Sequence, residues 1–251
     1  LTPPKGGRNG KPLTLPGGKG GDKVPPWGDL GGASCAYIKD TLESKGIDPA
    51  VKKATENVIS RLKSKGYKVS PVDFPYLDYM LPTYYILTTA EASSNLSRYD
   101  GVKYGYRSSN TKDIESMYKK TRSEGFGQEV KRRIMLGTFV LSANYYDAYY
   151  TKAQRVRRLI KNKTDELLST YNFLLLPTTP TPTFKLGEYS EDLIEMYLQD
   201  LFTVHASLTG LPAISIPNGE DSRGLPIGIQ IIADAFKEDQ LLIFAKEIMS
   251  L

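Results

Sequence analysis

Apolar positions recur with a helical period in several stretches of the chain, and short runs typical of β-strands lie between them. The first helical stretch follows Gly46, where Asp48 is a candidate N-cap residue and Pro49 suits the first helical position. Gly66 is placed to end this helix. Its predicted apolar stripe consists of Val51, Ala54, Val58, Ile59 and Leu62.

Strand-like runs flank this helix at residues 36–40 (AYIKD) and 67–74 (YKVSPVDF). Val69 fits a β-ladder, whereas Pro71 favours an edge position or an early end of the strand, because proline cannot donate a hydrogen bond to a neighbouring strand. A helix that connects two strands in this way is typical of a crossover unit. We therefore expect the two strands to lie parallel in one sheet.

Three further helices are predicted in the middle of the chain. They span residues 77–98, residues 112–121 and a long stretch from residue 125 through residue 168, with Asn162 as a candidate interruption. The long helix is predicted to direct one stripe inward. This stripe consists of Val130, Ile134, Leu136, Leu141 and Tyr145.

The last third of the chain alternates strands with helices. Residues 173–176 (FLLL) form a continuous apolar run before Pro177, which is typical of a strand buried on both faces. The remaining predicted elements are a helix at 193–208, a strand at 213–216, a turn at 224–226, a strand at 227–232 and a helix at 240–249. The whole pattern predicts an α/β fold with a mixed, largely parallel sheet flanked by helices.

The first 32 residues differ from the rest, since they contain ten glycines and six prolines and show almost no apolar periodicity. Such a segment cannot bury enough apolar surface to offset the entropy lost on ordering. We therefore predict a disordered Gly/Pro-rich segment at residues 1–35 and a folded part at residues 36–251.

Composition narrows the class of protein. A hydrophobic content of 40% over 251 residues is adequate for one large α/β domain or two small ones. No apolar run approaches the roughly 20 residues that a membrane helix needs, and the N-terminus has no signal-peptide core. Cys35 is the single cysteine, so no disulfide forms within the chain. We expect a soluble, cytoplasmic protein without a membrane partner.

Four sequence blocks carry a resemblance to a known family. They are residues 91–106 (EASSNLSRYDGVKYGY), 125–154 (GFGQEVKRRIMLGTFVLSANYYDAYYTKAQ), 176–188 (LPTTPTPTFKLGE) and 196–217 (MYLQDLFTVHASLTGLPAISIP). Their order and spacing resemble the amidase-signature enzymes. The first block resembles in particular the A subunits of glutamyl-tRNA(Gln)/aspartyl-tRNA(Asn) amidotransferases. The resemblance runs from about Ala36 to the C-terminus and implies the C-terminal part of the amidase-signature fold, with residues 1–35 non-homologous.

No catalytic residue is assigned in this chain. The resemblance implies a serine nucleophile, a second serine and a lysine base, and all three belong to a preceding half that is absent here. Ser34 lacks the rest of such a signature, and Cys35 and His205 are interpreted as structural because a catalytic thiol pair would lack a third member. Zinc is not expected, since one cysteine and one histidine cannot fill a tetrahedral site. The replacement of the catalytic half reflects either a reading-frame or gene-model error or a genuinely shortened protein.

The resemblance does imply substrate-binding residues. Free glutamine presents an α-carboxylate and an α-ammonium, which require a guanidinium and a carboxylate in the protein. By match to the family motifs, Arg133 would receive the carboxylate, Asp200 would meet the ammonium and Tyr84 would add a hydroxyl donor. Each residue taken singly could instead have a structural role.

The implied function is that of the C-terminal part of a glutaminase subunit. The intact subunit would hydrolyse glutamine and supply ammonia for conversion of Glu-tRNA(Gln) to Gln-tRNA(Gln), or of Asp-tRNA(Asn) to Asn-tRNA(Asn). No cofactor is expected in this chain, whereas ATP and Mg are expected in a partner B subunit, with a small C subunit completing the complex. We expect the isolated chain to be inactive. The alternatives are another amidase-signature amide hydrolase and a truncated, non-catalytic binding module.

Basic residues crowd together in only one stretch, although the formal net charge is a modest +5. The favoured interpretation is a solvated helix face, and the alternative is a contact with tRNA or a partner subunit. The residues concerned are Lys152, Arg155, Arg157, Arg158, Lys161 and Lys163.

Overall fold

The computed structural model describes residues 32–44, 46–184 and 193–250. Most of the predicted Gly/Pro-rich segment, residues 1–31, lies outside this range, as does the end of the third family block, residues 185–188. The described residues form one five-stranded sheet in the order β2-β1-β3-β5-β4. Its strands are β1 Ser34–Ile38, β2 Lys68–Val72, β3 Phe173–Pro177, β4 Ala213–Glu220 and β5 Pro226–Ala233.

Helices pack on both faces of this sheet. In chain order they are α1 Lys39–Glu43, α2 Pro49–Ser64, α3 Leu77–Leu96, α4 Ile114–Gly125, α5 Gln128–Val140, α6 Lys152–Leu168, α7 Leu193–Leu198, α8 Val204–Thr209 and α9 Glu238–Met249. A π-helical segment, Tyr146–Thr151, leads into α6. No helix among the described residues is long and apolar enough to cross a lipid bilayer.

Four of the five strands run in the same direction. β1 pairs parallel with β2 and β3, while β5 pairs antiparallel with both β3 and β4. The predicted mixed, largely parallel α/β sheet is therefore confirmed. β2 lies at the edge of the sheet, as Pro71 indicated, since an edge strand tolerates a missing amide donor.

The core has two layers separated by the sheet. Along β3, Phe173 and Leu175 face the layer under α2 and α9, while Leu174 and Leu176 face the layer under α3, α6 and α8. This alternation follows from the two-residue period of a strand. Every residue of β3 is buried, so the prediction of a strand covered on both faces is confirmed.

The helix α2 begins where the sequence predicts. Asp48 accepts a hydrogen bond from the Ala50 amide at 2.7 Å, and Pro49 occupies the first turn, where no amide donor is needed. The stripe is buried at Val51, Val58, Ile59 and Leu62, whereas Ala54 is partly exposed.

The strand predicted at residues 36–40 is wrong in its last two residues. β1 ends at Ile38, and Lys39 begins the short helix α1. The Asp40 carboxylate accepts the Phe74 amide at 2.6 Å, and the Thr41 hydroxyl donates to the Ile38 carbonyl. These contacts, one of them with a segment distant in sequence, favour the helical turn over continued extension.

The single long helix predicted from residue 125 to 168 is also wrong. α5 ends at Val140, a turn follows at residues 141–145, and the chain re-enters a helix through the π-helical segment before α6. The turn is stabilised by stacking of Phe139 on Tyr145, whose ring centroids lie 4.2 Å apart. Asn162 lies within α6 and does not interrupt it.

The inward stripe predicted for this helix is only partly correct, because α5 packs on α3. Leu136 and Tyr145 are 47% and 40% exposed, whereas Gly137 and Val140 are buried. The two helices approach closely at Gly137, since an added Cβ there would lie 2.0 Å from the Thr89 carbonyl oxygen on α3. A small residue, rather than a large apolar one, thus forms the closest contact.

The predicted helix at 193–208 is divided into α7 and α8. Asp200 lies in the connection, where its carbonyl accepts hydrogen bonds from the Val204 amide and the Thr203 hydroxyl. The predicted elements at 213–216, 227–232 and 240–249 correspond to β4, β5 and α9. The break between α7 and α8 matters most, because it sets the position of the Asp200 side chain.

Candidate functional site

A cluster of polar and aromatic side chains lies where α3, α5 and the α7–α8 connection meet. The helix α3 supplies Tyr84 and Tyr85, α5 supplies Arg133, and the α7–α8 connection supplies Asp200. The structure therefore brings together elements that carry all three sequence-predicted site residues.

Asp200 is joined to α3 by a hydrogen bond. The Tyr85 hydroxyl donates to the Asp200 carboxylate at 2.8 Å. Burial raises the pKa of Tyr85 well above its usual value, and the hydrogen bond to Asp200 raises it further. The phenol therefore stays protonated at neutral pH and serves as a fixed donor to this carboxylate.

Arg133 lies over the ring of the same tyrosine. Its guanidinium carbon is 6.0 Å from the centre of the Tyr85 ring, within the range of a cation–π contact. Its Nε atom donates to Glu129 at 3.0 Å, one turn earlier on α5. This partner raises the pKa of Arg133, so the guanidinium remains charged.

Glu129 connects the cluster to α7. Its Oε1 atom accepts from Arg133 and also from the Tyr197 hydroxyl at 3.1 Å, while Arg132 pairs with its other oxygen. Burial opposes ionisation of Glu129, but the hydrogen bonds from Arg133 and Tyr197 and the charge of Arg132 outweigh it and lower its pKa. Glu129 therefore holds the Arg133 side chain as an ionised partner.

Tyr84 precedes Tyr85 on α3, but the hydroxyl that donates to Asp200 belongs to Tyr85. The Tyr84 ring meets Tyr85 edge to face, with centroids 5.4 Å apart, and packs partly against the core beneath α3. Sequence reasoning missed Tyr85, Glu129 and Tyr197. The four-residue spacing from Glu129 to Arg133 is the one local signal that indicates a pair on a helix.

The carboxyl end of β3 leads toward this cluster. Thr181 donates to the Gln199 side chain at 2.8 Å, beside Asp200, and Thr179 donates to the Thr181 carbonyl at 2.7 Å. Thr178 shares a hydrogen bond of 2.6 Å with Ser215 of β4. Ligands of α/β sheets commonly bind outside the carboxyl ends of parallel strands, and Thr181 joins the segment that follows β3 to the neighbour of Asp200.

The cluster offers recognition rather than bond cleavage. The Asp200 carboxylate lies at the hydroxyl of Tyr85 and the Arg133 guanidinium lies over its ring, so one tyrosine contacts both an anionic and a cationic group. Such a pair of groups is the complement of a small molecule that bears both charges. Arg133 and Glu129 keep 39% and 37% of their side chains exposed, so a ligand from solvent can reach them. Among residues 32–44, 46–184 and 193–250, no group of three or more metal-ligating side chains is found.

Neither Cys35 nor His205 is suited to nucleophilic chemistry. Burial raises the pKa of the Cys35 thiol to about 12, and burial lowers the pKa of His205 to about 4. His205 contacts Thr164 and Phe74, whereas Cys35 belongs to the core layer on the opposite face of the sheet. The side chain of Ser34 bonds with Asn172 at 3.2 Å at the start of β1.

Comparison with known proteins identifies the family. Residues 28–242 match the model of the family described as Amidase. A protein of Lachnospira eligens, named as the A subunit of glutamyl-tRNA(Gln) amidotransferase, is 54% identical over 214 residues, covering 85% of this chain and 44% of that protein. The protein of the same name from Clostridium botulinum (strain Loch Maree / Type A3) is 53% identical over 213 residues, with the same coverage.

Solved structures support the same relationship. The crystal structure of the glutamyl-tRNA(Gln) amidotransferase A subunit from Thermotoga maritima superposes with a TM-score of 0.65 at 38% identity, covering 87% of this chain and 42% of that one. A crystal structure of an amidase at 21% identity has a TM-score of 0.68 and shares the fold. The chain spans less than half the length of these relatives. Since the family model matches most of its residues, the chain belongs to the amidase family.

Proposed function

We propose that this chain is the C-terminal part of the glutaminase subunit of a tRNA-dependent amidotransferase and that it carries the glutamine-recognition residues. Two observations support this proposal. Relatives at 53% to 54% identity bear the name of that subunit. The recognition role rests on the contacts of Tyr85, whose hydroxyl donates to Asp200 while its ring lies under the Arg133 guanidinium.

In this proposal Arg133 binds the α-carboxylate of glutamine. Nε of Arg133 is already bonded to Glu129, which leaves the two terminal nitrogens to meet a carboxylate side by side. Asp200 binds the α-ammonium, because one of its oxygens accepts from Tyr85 and the carboxylate has further acceptor capacity. The Tyr84 hydroxyl adds a donor beside them. The carboxamide of the ligand then points away from this charged end.

The chemical step in this proposal requires residues that the chain does not supply. A serine nucleophile, a second serine and a lysine base would form the acyl-enzyme and release ammonia. A B subunit would use ATP and Mg to activate Glu-tRNA(Gln) or Asp-tRNA(Asn) and receive that ammonia, and a small C subunit would complete the assembly. The isolated chain is therefore expected to bind glutamine without hydrolysing it.

Calorimetric titration of the purified chain with L-glutamine tests the recognition role. Arg133→Ala and Asp200→Asn should each weaken binding by about tenfold or more, since a charge-assisted hydrogen bond contributes about 1.5–3 kcal/mol. Arg223→Ala is the matched control, because Arg223 pairs with Asp221 in the β4–β5 turn. Unchanged affinity in both site variants would contradict the assignment.

The same titration distinguishes the alternatives. A ligand that retains the carboxamide but lacks both α-substituents, such as propionamide, should not bind measurably if the charged groups dominate. Equal binding of propionamide and glutamine would favour a general amide hydrolase. Ammonia release should be absent for the chain alone, and its absence in the presence of a catalytic half and the B and C subunits would favour a non-catalytic binding module.

A further inference from the structure

A cationic groove lies between α6 and α8, on elements that the proposed glutamine site does not use. Its volume is about 280 Å³. Four residues of α6 and two of α8 line it, namely Gln154, Arg157, Arg158, Lys161, Leu208 and Thr209. Three of these six side chains are cationic and none is a carboxylate, so the lining attracts anions.

One cation of this groove is held in place by the protein. The Nε atom of Arg157 donates to the Leu208 carbonyl oxygen at 2.7 Å. Leu208 lies in the last turn of α8, whose final carbonyls have no partner within the helix, and the helix ends at Gly210 with a φ of 69°. This bond fixes the guanidinium plane while its two terminal nitrogens retain donors for a ligand.

The other cations differ in how far they are neutralised. Lys161 pairs with Asp165 at 2.5 Å, one turn later on α6. Within the described part of the chain, Arg158 has no ion pair with a carboxylate. The groove therefore has an excess of positive charge next to a guanidinium whose orientation is already set.

We propose that this groove binds a phosphate group. A phosphate presents several acceptor oxygens on one tetrahedral centre, and two guanidinium groups, an ammonium and the Gln154 amide can donate to different oxygens. A planar guanidinium suits bidentate contact with phosphate oxygens, and the fixed Arg157 loses little side-chain entropy on binding. The phosphate belongs either to an RNA backbone or to a free phosphate compound, and both sources present the same oxygens.

This inference goes beyond the proposed glutamine site and does not depend on it. If the Arg133 and Asp200 variants did not affect glutamine binding, that result would not count against phosphate binding in the groove. Conversely, failure of the groove to bind phosphate would leave the proposed glutamine site unaffected, because neither Arg133 nor Asp200 lies on α6 or α8.

The test uses the complete chain and two probes. A fluorescently labelled short RNA duplex is titrated by anisotropy at several salt concentrations, and sodium pyrophosphate is titrated by calorimetry. The groove variant is Arg158→Gln combined with Lys161→Gln, which leaves the structural bond of Arg157 in place. The matched control is Lys152→Gln combined with Lys163→Gln, since these residues lie roughly 160° to 180° round α6 from Gln154 at about 100° per residue.

The groove variant is expected to bind the duplex about tenfold more weakly at low salt. It should also reduce the slope of log affinity against log salt by about 1 for each phosphate that is no longer neutralised. Competition by pyrophosphate would identify a site that also takes free phosphate compounds, and binding of RNA without such competition would identify the polymer backbone. Equal losses in the groove variant and the control, or no binding of either probe, would overturn the proposal.

Discussion

Gly137 controls how closely α5 approaches α3, and replacing it with alanine tests whether that contact positions the site. The added Cβ would lie 2.0 Å from the Thr89 carbonyl oxygen and 2.6 Å from the Ser93 Cβ atom. To restore an ordinary contact of 3.4 Å, α5 would have to move away by about 1.4 Å, which is 3.4 minus 2.0. The nearest obstacle is backbone, so a side-chain rotation cannot relieve it.

The energetic result follows from two opposing effects. Alanine favours a helix interior over glycine by about 1 kcal/mol. Overpacking a tight contact typically costs about 1–3 kcal/mol. Because the clash is with backbone, we expect the upper part of that range and a net loss of about 1–2 kcal/mol in the free energy of unfolding for Gly137→Ala.

The displacement should also reach the proposed ligand site. Arg133 lies one turn before Gly137 on α5, and Tyr85 lies one turn before Thr89 on α3, where the Thr89 hydroxyl donates to the Tyr85 carbonyl at 2.6 Å. Separation of the helices at Gly137 therefore enlarges the distance between Arg133 and the Tyr85 ring. Glutamine affinity should fall even under conditions in which the variant remains folded.

Urea unfolding followed by far-ultraviolet circular dichroism measures the stability change. Gly127→Ala is the matched control, because nothing lies within 4 Å of an added Cβ at this N-cap residue of α5. The control should lose about 0.5 kcal/mol, because alanine is less favourable than glycine at an N-cap position. A Gly137→Ala variant as stable as the wild type would refute the close-contact reasoning.

Three further predictions concern single groups. Burial lowers the pKa of His205 from 6.5 to about 4 in the folded chain, so its contribution to stability is complete above pH 6.5 and is lost as the pH falls toward 4. The free energy of unfolding in urea should therefore fall by up to about 3 kcal/mol over this range. His205→Gln should flatten this pH dependence. Tyr85→Phe removes the donor to Asp200 and should cost about 1 kcal/mol in urea unfolding, so an unchanged midpoint would contradict the bond. Cys35 is fully buried with a pKa of about 12, so Ellman's reagent should react only after denaturation, and rapid reaction of the native chain would count against this burial.

The sequence predicted elements best where the determining contacts are local. The helix α2 starts at Asp48 and Pro49 because capping and proline geometry depend on adjacent residues. The burial of β3 follows from its uninterrupted apolar run. By contrast, α1 depends on a hydrogen bond between Asp40 and Phe74, which are 34 residues apart, so no local pattern could indicate it.

The same distinction between local and long-range contacts applies to the candidate site. Family motifs point to Tyr84, Arg133 and Asp200 without any structure, and their glutamine-binding roles remain predictions. The links among the surrounding side chains could not be predicted, because Tyr85 and Asp200 are 115 residues apart and Glu129 and Tyr197 are 68 apart. Such pairs form only after the helices that carry them have packed.

The family, the α/β class and the main helix starts could be predicted from the amino-acid sequence, because they depend on short motifs, residue periodicity and backbone geometry. The end of α5, the break between α7 and α8, and the identity of the tyrosine hydroxyl that reaches Asp200 became known only from the packed structure. The physical reason is that these features depend on contacts between residues far apart in sequence, such as the packing of α3 against α5 at Gly137 and the hydrogen bond from Tyr85 to Asp200.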